Sequence, residues 1–495
     1  MAKKLPIFYN ALLLTGVNLL LRFAGTSFQV YLSGRIGAEG IGLLQLVMSV
    51  GSLALTVGMG GIRTATMYLC AEVVGQKQPG RMGWVLSGCI VYSISVSGAA
   101  AFLLYQFAPL IAAGWIGNPA VCSAIRLFAA FLPVSCLCGV MVGYYTGINR
   151  IGTLAAVEVA EQICSMAATI LLLQLWADSD AVKACQCVIL GSSIGACLTL
   201  FVLTVLKHRH KEAVGERLPM GERLWETAVP LAVADTAKAG INTTENLMVP
   251  KRLALYPGTS APLAQFGMVC GMVFPVLMFP AAILFGLAEL LIPEMARCNA
   301  AGSQNRIHHL AERSLLLALI YGCVCGGILF LAAEPLCRRL YKTPEAGMYL
   351  RWFAVLAPML YCDTITDALT KGLGQQKICV RNNIITSALD VIFLFLLLPH
   401  YGMQGYFASF FLTHLLNFAL SMGLLVKLVG RVIPMKTAFA CLLAAVGAVI
   451  AAGFADSPLS CICFVLLFAP LLVLLGVVKG ADLAWLKGLV RPKIT

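Results

Sequence analysis

The sequence predicts an all-α polytopic membrane protein with fourteen transmembrane helices, on three observations. Hydrophobic residues fill 60% of the 495 positions and charged residues only 12%, about half the charged share of a soluble domain. Apolar stretches near the ~20 residues needed to cross a bilayer recur along the whole chain. Lys and Arg gather in every second connection between those stretches.

Taken in order, the first stretch, 6–33, follows Met-Ala-Lys-Lys. It outruns a signal-peptide core and has no small-residue cleavage site before a soluble domain, so it reads as a span. Further spans are expected at 41–74, 83–106, 122–146, 152–176, 184–206, 223–250, 263–292, 310–333, 348–370, 380–399, 403–427, 433–453 and 459–478. The stretches at 41–74 and 263–292 are long enough to tilt or bend. Gly58, Gly60 and Gly61 in the first of these, and Pro275, Pro280 and Pro293 in or near the second, are matched breaks that read equally as hinges or as close helix packing.

Charge sets the orientation. With the N-terminus inside, the outer segments hold only Arg35, Lys183, Lys251, Arg252, Arg338, Arg339 and Lys342, and all the remaining loop cations face the cytoplasm. Both termini are therefore expected in the cytoplasm, with the chain in the plasma (inner) membrane. The net charge of +13 is mostly this bias. The basic loop Lys207-His-Arg-His-Lys211 reads as a topology determinant that meets anionic lipid. Nucleic-acid binding would need a soluble basic face with aromatic or Arg readout, and the sequence has none.

The 19 cysteines lie mostly inside apolar runs, as in Cys136-Leu-Cys138, Cys323-Val-Cys325 and Cys461-Ile-Cys463. Such pairs point their thiols apart on a helix, and no His/Cys cluster at zinc spacing accompanies them. They read as small hydrophobes, and no metal or cofactor is expected. There is no phosphate loop, GxSxG elbow or HExxH sequence, which argues against an enzyme; His414 inside a span reads as a packing residue.

The halves of the chain resemble one another. Ile125-Arg-Leu-Phe-Ala-Ala-Phe-Leu-Pro133 matches Leu350-Arg-Trp-Phe-Ala-Val-Leu-Ala-Pro358, and at the same offset Gly147 meets Gly372; Gln45 and Gly51 pair with Gln265 and Gly271. Spans 1–6 and 7–12 are thus expected to form two pseudo-symmetric six-helix lobes. That gives an N-lobe at 1–206, a basic cytoplasmic linker at 207–222, a C-lobe at 223–430, and spans 13–14 with a cytoplasmic tail at 431–495. Six is an even number, so the lobes share one orientation and leave a central cavity suited to alternating access.

Intramembrane charges need a reason, because each costs several kcal/mol in hydrocarbon. Span 1 carries Thr15, Asn18, Arg22, Thr26 and Gln29 on one face; span 2 carries Gln45, Ser49, Ser52, Thr56 and Arg63; span 7 carries Asp235, Lys238, Asn242 and Glu245. Spans 5, 10 and 11 add Glu158, Glu161 and Gln162, then Asp363 and Asp367, then Asn383, Ser387 and Asp390. One reading is a wet cavity in which Arg22, Lys238 and Arg63, with Asn18, Gln29, Gln45 and Asn242, hold an anionic group; the Arg fork suits two phosphate oxygens at once. The other is interhelical glue, with Asp235 and Lys238 neutralising each other. Glu161, Glu245, Asp235 and Asp363 are candidates to bind a coupling cation, and their spacing does not select H⁺ from Na⁺.

Arg35-Ile-Gly-Ala-Glu-Gly-Ile-Gly-Leu-Leu-Gln45 resembles the signature of the stage V sporulation protein B group. That group belongs to the polysaccharide-transporter branch of the multidrug/oligosaccharidyl-lipid/polysaccharide (MOP) flippase superfamily. Gly143-Tyr-Tyr-Thr-Gly147, Val159-Ala-Glu-Gln162, Val249-Pro-Lys-Arg-Leu253 and Thr370-Lys-Gly-Leu-Gly374 extend the resemblance over roughly residues 5–430. It implies a MATE-like fold and movement of undecaprenyl-pyrophosphate-linked saccharide, such as peptidoglycan or spore-cortex precursor, by alternating access. Membrane lipids and envelope-synthesis enzymes are the implied partners. Arg22 falls on a first-helix arginine shared by this group and related peptidoglycan-precursor flippases, and Glu245 falls where the group usually has Asp. Arg63 and Lys371 depart from the pattern, standing where uncharged residues are common. Two alternatives remain at this stage: a multidrug/cation antiporter, which needs an acidic cavity, and a non-transporting scaffold for sporulation or envelope assembly, which needs none.

Overall fold

A computed structural model describes residues 5–76, 79–176, 180–208, 220–454 and 459–477. Sixteen α-helices lie among them: α1 (Leu5–Met59), α2 (Ile62–Gly75), α3 (Met82–Leu110), α4 (Cys122–Gly147), α5 (Ile151–Trp176), α6 (Ala181–His208), α7 (Met220–Leu253), α8 (Pro262–Met268), α9 (Phe274–Met278), α10 (Ala281–Ala300), α11 (Gln304–Tyr341), α12 (Glu345–Ala354), α13 (Ala357–Gly372), α14 (Gln376–Val429), α15 (Met435–Ala452) and α16 (Leu459–Leu474).

Helices and spans are not the same units. α1 holds span 1 and most of span 2, divided at Gly37, whose φ of 69° only glycine adopts freely. α14 likewise holds spans 11 and 12, divided at Gly402 (φ 56°) just after Pro399. Conversely, α1 and α2 share span 2, broken at Gly60 and Gly61 (φ 48° and 71°). Span 8 is assembled from α8, a π-helical turn at Val269–Val273, α9 and α10, with a 60° bend at Phe279–Pro280. Span 10 is α12 and α13 together. Counted this way the fourteen expected spans are all present, and the fold is all-α and multi-pass. The expected cations at Lys3, Lys4, Lys77 and Arg209–Lys211, and those of the 478–495 tail, lie outside the described residues.

Two compact units divide the chain: Met1–Gly271 with Val391–Met403, and Met272–Asp390 with Gln404–Thr495. The lobe boundary expected in the 207–222 linker therefore does not coincide with this division, because α7 packs on α1 and α2 and joins the first unit. Residues 209–219 of that linker lie outside the described residues.

In the first unit a core of Ile62, Leu69, Leu86, Tyr145 and Leu203 ties α2, α3, α4 and α6 together. Gly139, Gly143 and Gly147 form a stripe at four-residue spacing on α4. A Cβ on Gly143 would collide with the Arg63 carbonyl, and one on Gly147 would lie 2.7 Å from the Met67 carbonyl. The small-residue stripe lets α4 and α2 touch backbone to backbone, which accounts for the Gly143-Tyr-Tyr-Thr-Gly147 sequence.

In the second unit, broken span 8 frees carbonyls that lipid cannot satisfy. Three tyrosine hydroxyls donate to them: Tyr341 to Met272 (3.1 Å), Tyr361 to Leu277 (2.9 Å) and Tyr321 to Pro280 (2.9 Å). The first unit uses the same device at its own break, where Tyr92 donates to the Gly60 carbonyl at 3.1 Å. Gly372 seats α13 on α10, where a Cβ would lie 2.8 Å from the Ile292 carbonyl. The paired cysteines at 136/138 and 323/325 are buried, while Cys461 and Cys463 are half-buried. His414 bonds the Phe410 carbonyl one turn back and stacks on its ring at 3.8 Å, a packing role.

Removing the Tyr361 hydroxyl leaves the Leu277 carbonyl buried and unpaired, a cost of about 1–3 kcal/mol. Tyr361→Phe is expected to lower the thermal unfolding midpoint of the detergent-purified protein, whereas Tyr68→Phe, on an exposed side chain, is expected to leave it unchanged.

Candidate functional site: a charged cavity in the first unit

α7 crosses the α1–α2 segment and is fastened at two places. At one, Thr243 donates its hydroxyl to the Ser49 carbonyl (3.1 Å) and Asn246 donates its amide to the Ser49 hydroxyl (3.0 Å). At the other, α7 passes so close to Gly61 that a Cβ there would collide with the Ala228 carbonyl. Between these two clamps the helices part and leave an open cavity of about 400 Å³, to which Arg63, Asp235, Lys238 and Asn242 are exposed.

Its walls carry polar groups from all three helices: Ser52 and Thr56 from α1, Arg63 and Thr64 from α2, and Asp235, Lys238 and Asn242 from α7, with Met59, Gly61 and Ala239 completing the lining. Ser52 and Thr56 donate their hydroxyl protons back to the carbonyls of Ser49 (2.9 Å) and Ser52 (2.8 Å), so toward the cavity they present oxygen lone pairs. No ion pair joins Asp235 to Lys238 among the described residues, although they sit one turn apart. Glu158 of α5 lies within electrostatic range of Arg63 without lining the cavity. Two cations thus face one anion across a space large enough for a small headgroup.

Of the residues singled out in the sequence, Arg63, Asp235, Lys238 and Asn242 meet here. Arg22, Gln29 and Gln45 do not line this cavity: Arg22 is exposed on the first half of α1, Gln29 has a buried Nε2 without a hydrogen-bond partner, and Gln45 is half-buried. Asn18 lies in α1, and its side chain is outside the described residues. Glu161 accepts a 2.7 Å hydrogen bond from Thr199 and so joins α5 to α6. Glu245 is half-buried on α7. Asp363, in the second unit, accepts from Asn417 at 2.9 Å and keeps its other oxygen buried and unpartnered. Asp390 accepts from Ser409 (2.6 Å) and Thr413 (3.2 Å). The sequence did not single out Thr64, Thr243 and Asn246; Asn246 continues the Asp235–Lys238–Asn242 face by one turn, and that spacing was the available signal, while Thr243 lies about 100° round the helix from Asn242.

The glycines and prolines take distinct parts. Gly60 and Gly61 form the break in span 2, while Gly58 packs on Cys136, whose Sγ would be 3.1 Å from its Cβ. Pro280 stands at the bend of span 8, and Pro275 sits just past the π-helical turn Val269–Val273, where its missing N–H goes with the change of helical register.

The MatE family model matches residues 15–153 and 264–396, together more than half of the chain. Stage V sporulation protein B of Bacillus subtilis (strain 168) is 22% identical over 411 residues, 80% of this chain and 79% of that protein. Lipid II flippase MurJ of the same strain is 21% identical over 402 residues, 75% of this chain and 73% of that one. A solved structure of lipid II flippase MurJ in an inward closed conformation superposes with a TM-score of 0.69 at 13% identity, covering 97% of this chain and 100% of that chain.

Because Thr56 and Val57 project from different faces of α1, a hydrophilic thiol reagent is expected to label Thr56→Cys and Asn242→Cys above the background of the native cysteines. Val57→Cys, on the apolar face, is expected to stay at background.

Proposed function

The chain belongs to the MatE family, within the MOP flippase superfamily, and we propose that its cargo is a saccharide carried on undecaprenyl pyrophosphate. The protein is a membrane transporter and not an enzyme. The observation that carries the cargo assignment is the meeting of Arg63 and Lys238 across one cavity, with Asn242 beside them and Asp235 as the single acid in its lining.

The chemistry follows from those groups. The Arg63 fork pairs with two oxygens of one phosphate, and the Lys238 ammonium serves the other as a point charge. Asn242 and the Ser52 and Thr56 oxygens hydrogen-bond the sugar-proximal end, and the lipid tail stays in the bilayer. Asp235, one turn from Lys238 but not ion-paired with it, repels the phosphate; a cation, H⁺ or Na⁺, taken up by Asp235 removes that repulsion. Glu161, Glu245 and Asp363 serve as further acids for the same coupling. Spans 1–6 and 7–12 act as the two lobes of an alternating-access cycle, with Gly60–Gly61 and Pro280 as its flexible points. Both termini lie in the cytoplasm and the membrane is the plasma membrane, so an inside-negative potential favours outward passage of the anion by about 2.3 kcal/mol per charge per 100 mV. Envelope-synthesis enzymes on the cytoplasmic side supply the cargo, which is peptidoglycan or spore-cortex precursor.

A cation antiporter requires acids to dominate the cavity, and here cations outnumber them. A scaffold with no cargo has no use for a cavity lined by two cations and one acid with no ion pair among them.

In proteoliposomes loaded with a fluorescent lipid-linked precursor, Arg63→Gln and Lys238→Gln are each expected to slow flipping about tenfold or more, the worth of a charged hydrogen bond. Arg63→Lys should fall between. Wild-type rates in both glutamine variants would remove the cavity from the transport path.

A further inference from the structure

The second half of α1 has another face. Ser52, Thr56 and Met59 line the charged cavity, whereas Val50, Leu53 and Val57 line an apolar groove of about 450 Å³ shared with Leu103 and Phe107 of α3. At 100° per residue the two sets point to different faces of the helix, their mean directions about 125° apart. Along α3 and the π-helical turn that follows it the groove runs from Ala100 to Trp115, about 22 Å at 1.5 Å per residue, while its α1 wall, Val50 to Val57, runs about 10 Å. The longer wall exceeds the ~15 Å depth of one leaflet, half the hydrocarbon core, so a chain entering at one interface lies along it and is flanked by α1 for about 10 Å.

One end of the groove is charged. The π-helical turn Ile111–Ile116 brings Gly114 and Trp115 to its mouth, and the Lys251 ammonium, from the end of α7, donates a hydrogen bond to the Gly114 carbonyl. An ammonium has three N–H donors, and this bond uses one. The Trp115 ring, half-exposed, stands at the same end, as aromatic rings do at the membrane–water boundary. Arg252 beside it is committed elsewhere, its guanidinium 3.2 Å above the Phe395 ring. The Val249-Pro-Lys-Arg-Leu253 sequence, which the cavity does not use, thus places one cation at the mouth of an apolar slot.

We propose that this groove binds one anionic phospholipid of the bilayer, its acyl chain against α1 and α3 and its phosphate on Lys251. The slot is apolar along its length and cationic only at its mouth, which matches a lipid whose negative charge sits at one end of a hydrocarbon chain. The carrier lipid of the cargo is the competing occupant, and displacement of phosphatidylglycerol by undecaprenyl phosphate distinguishes it. The proposal stands independently of the cargo assignment.

Native mass spectrometry of the full-length detergent-purified protein tests it, with phosphatidylglycerol and phosphatidylcholine of identical chains as probes. Wild type is expected to retain one phosphatidylglycerol with about fivefold preference, the effect of one surface cation on an anionic lipid. Lys251→Gln should bring the two lipids to parity, and Lys251→Arg should restore the preference. Gly114→Leu fills the mouth without disturbing a hydrogen bond, since a Cβ there meets nothing within 4 Å; it should lower retention of both lipids. Preference kept in Lys251→Gln, full retention in Gly114→Leu, displacement of phosphatidylglycerol by undecaprenyl phosphate, or a second protein copy in place of lipid would each overturn the proposal.

Discussion

Everything at the cavity depends on the way α7 is fastened to the α1–α2 segment. Charged side chains persist at bilayer depth only where protein, not hydrocarbon, surrounds them. Here Arg63, Asp235 and Lys238 open onto a cleft whose walls are set by two contacts of modest size: two hydrogen bonds converging on Ser49 and the close approach of α7 to Gly61. Neither contact carries charge. They act by geometry, holding three helices together at two points so that a gap opens between. Arg63 is in turn fixed from behind, because Gly143 lets α4 press against its backbone. The side chain that would grip a phosphate is thus mounted on a backbone held from two sides.

A second rule links the two units: where a span breaks, a tyrosine answers. Tyr92 serves the Gly60 carbonyl, and Tyr321, Tyr341 and Tyr361 serve span 8. An interrupted helix in hydrocarbon must find a donor for each freed carbonyl. A phenol is suited to the task because its ring is apolar and its one proton sits at the tip. Breaks of this kind remain bendable, since a single side-chain bond is easier to remake than a helical ladder. At these interruptions the carbonyls of Gly60, Met272, Leu277 and Pro280 each keep a donor.

The spans were legible in the sequence because hydrocarbon imposes a length and a composition that few loops can imitate. Even span 7, rich in charge, was read as a span at 223–250 among the apolar stretches. The cavity was only half legible. Stripe periodicity assigns side chains to a helix face, and it grouped Asp235, Lys238 and Asn242 correctly, but it does not say what that face meets. Arg22 and Arg63 looked alike on this criterion, yet only Arg63 lines the cavity. Glu161 shows the same gap from the other side: its place on a polar face was plain, while the Thr199 hydroxyl that occupies it comes from a different helix. The glycine motifs were visible as motifs, and their meaning appeared only with the neighbouring backbone in place.

The dependence of α7 on α1 and α2 extends to how the chain is made. With Asp235, Lys238 and Glu245 in its middle, α7 is not apolar enough to count as a span by hydropathy, and each central charge costs about 2.5–3.5 kcal/mol at the translocon. Its polar face becomes tolerable once α1 and α2 are already in the bilayer to receive it. Synthesis from the N-terminus supplies that order without a chaperone: the docking surface leaves the ribosome first, and the segment that could not enter alone follows it. A rearranged gene that placed α7 ahead of its two partners would strand it in the cytoplasm.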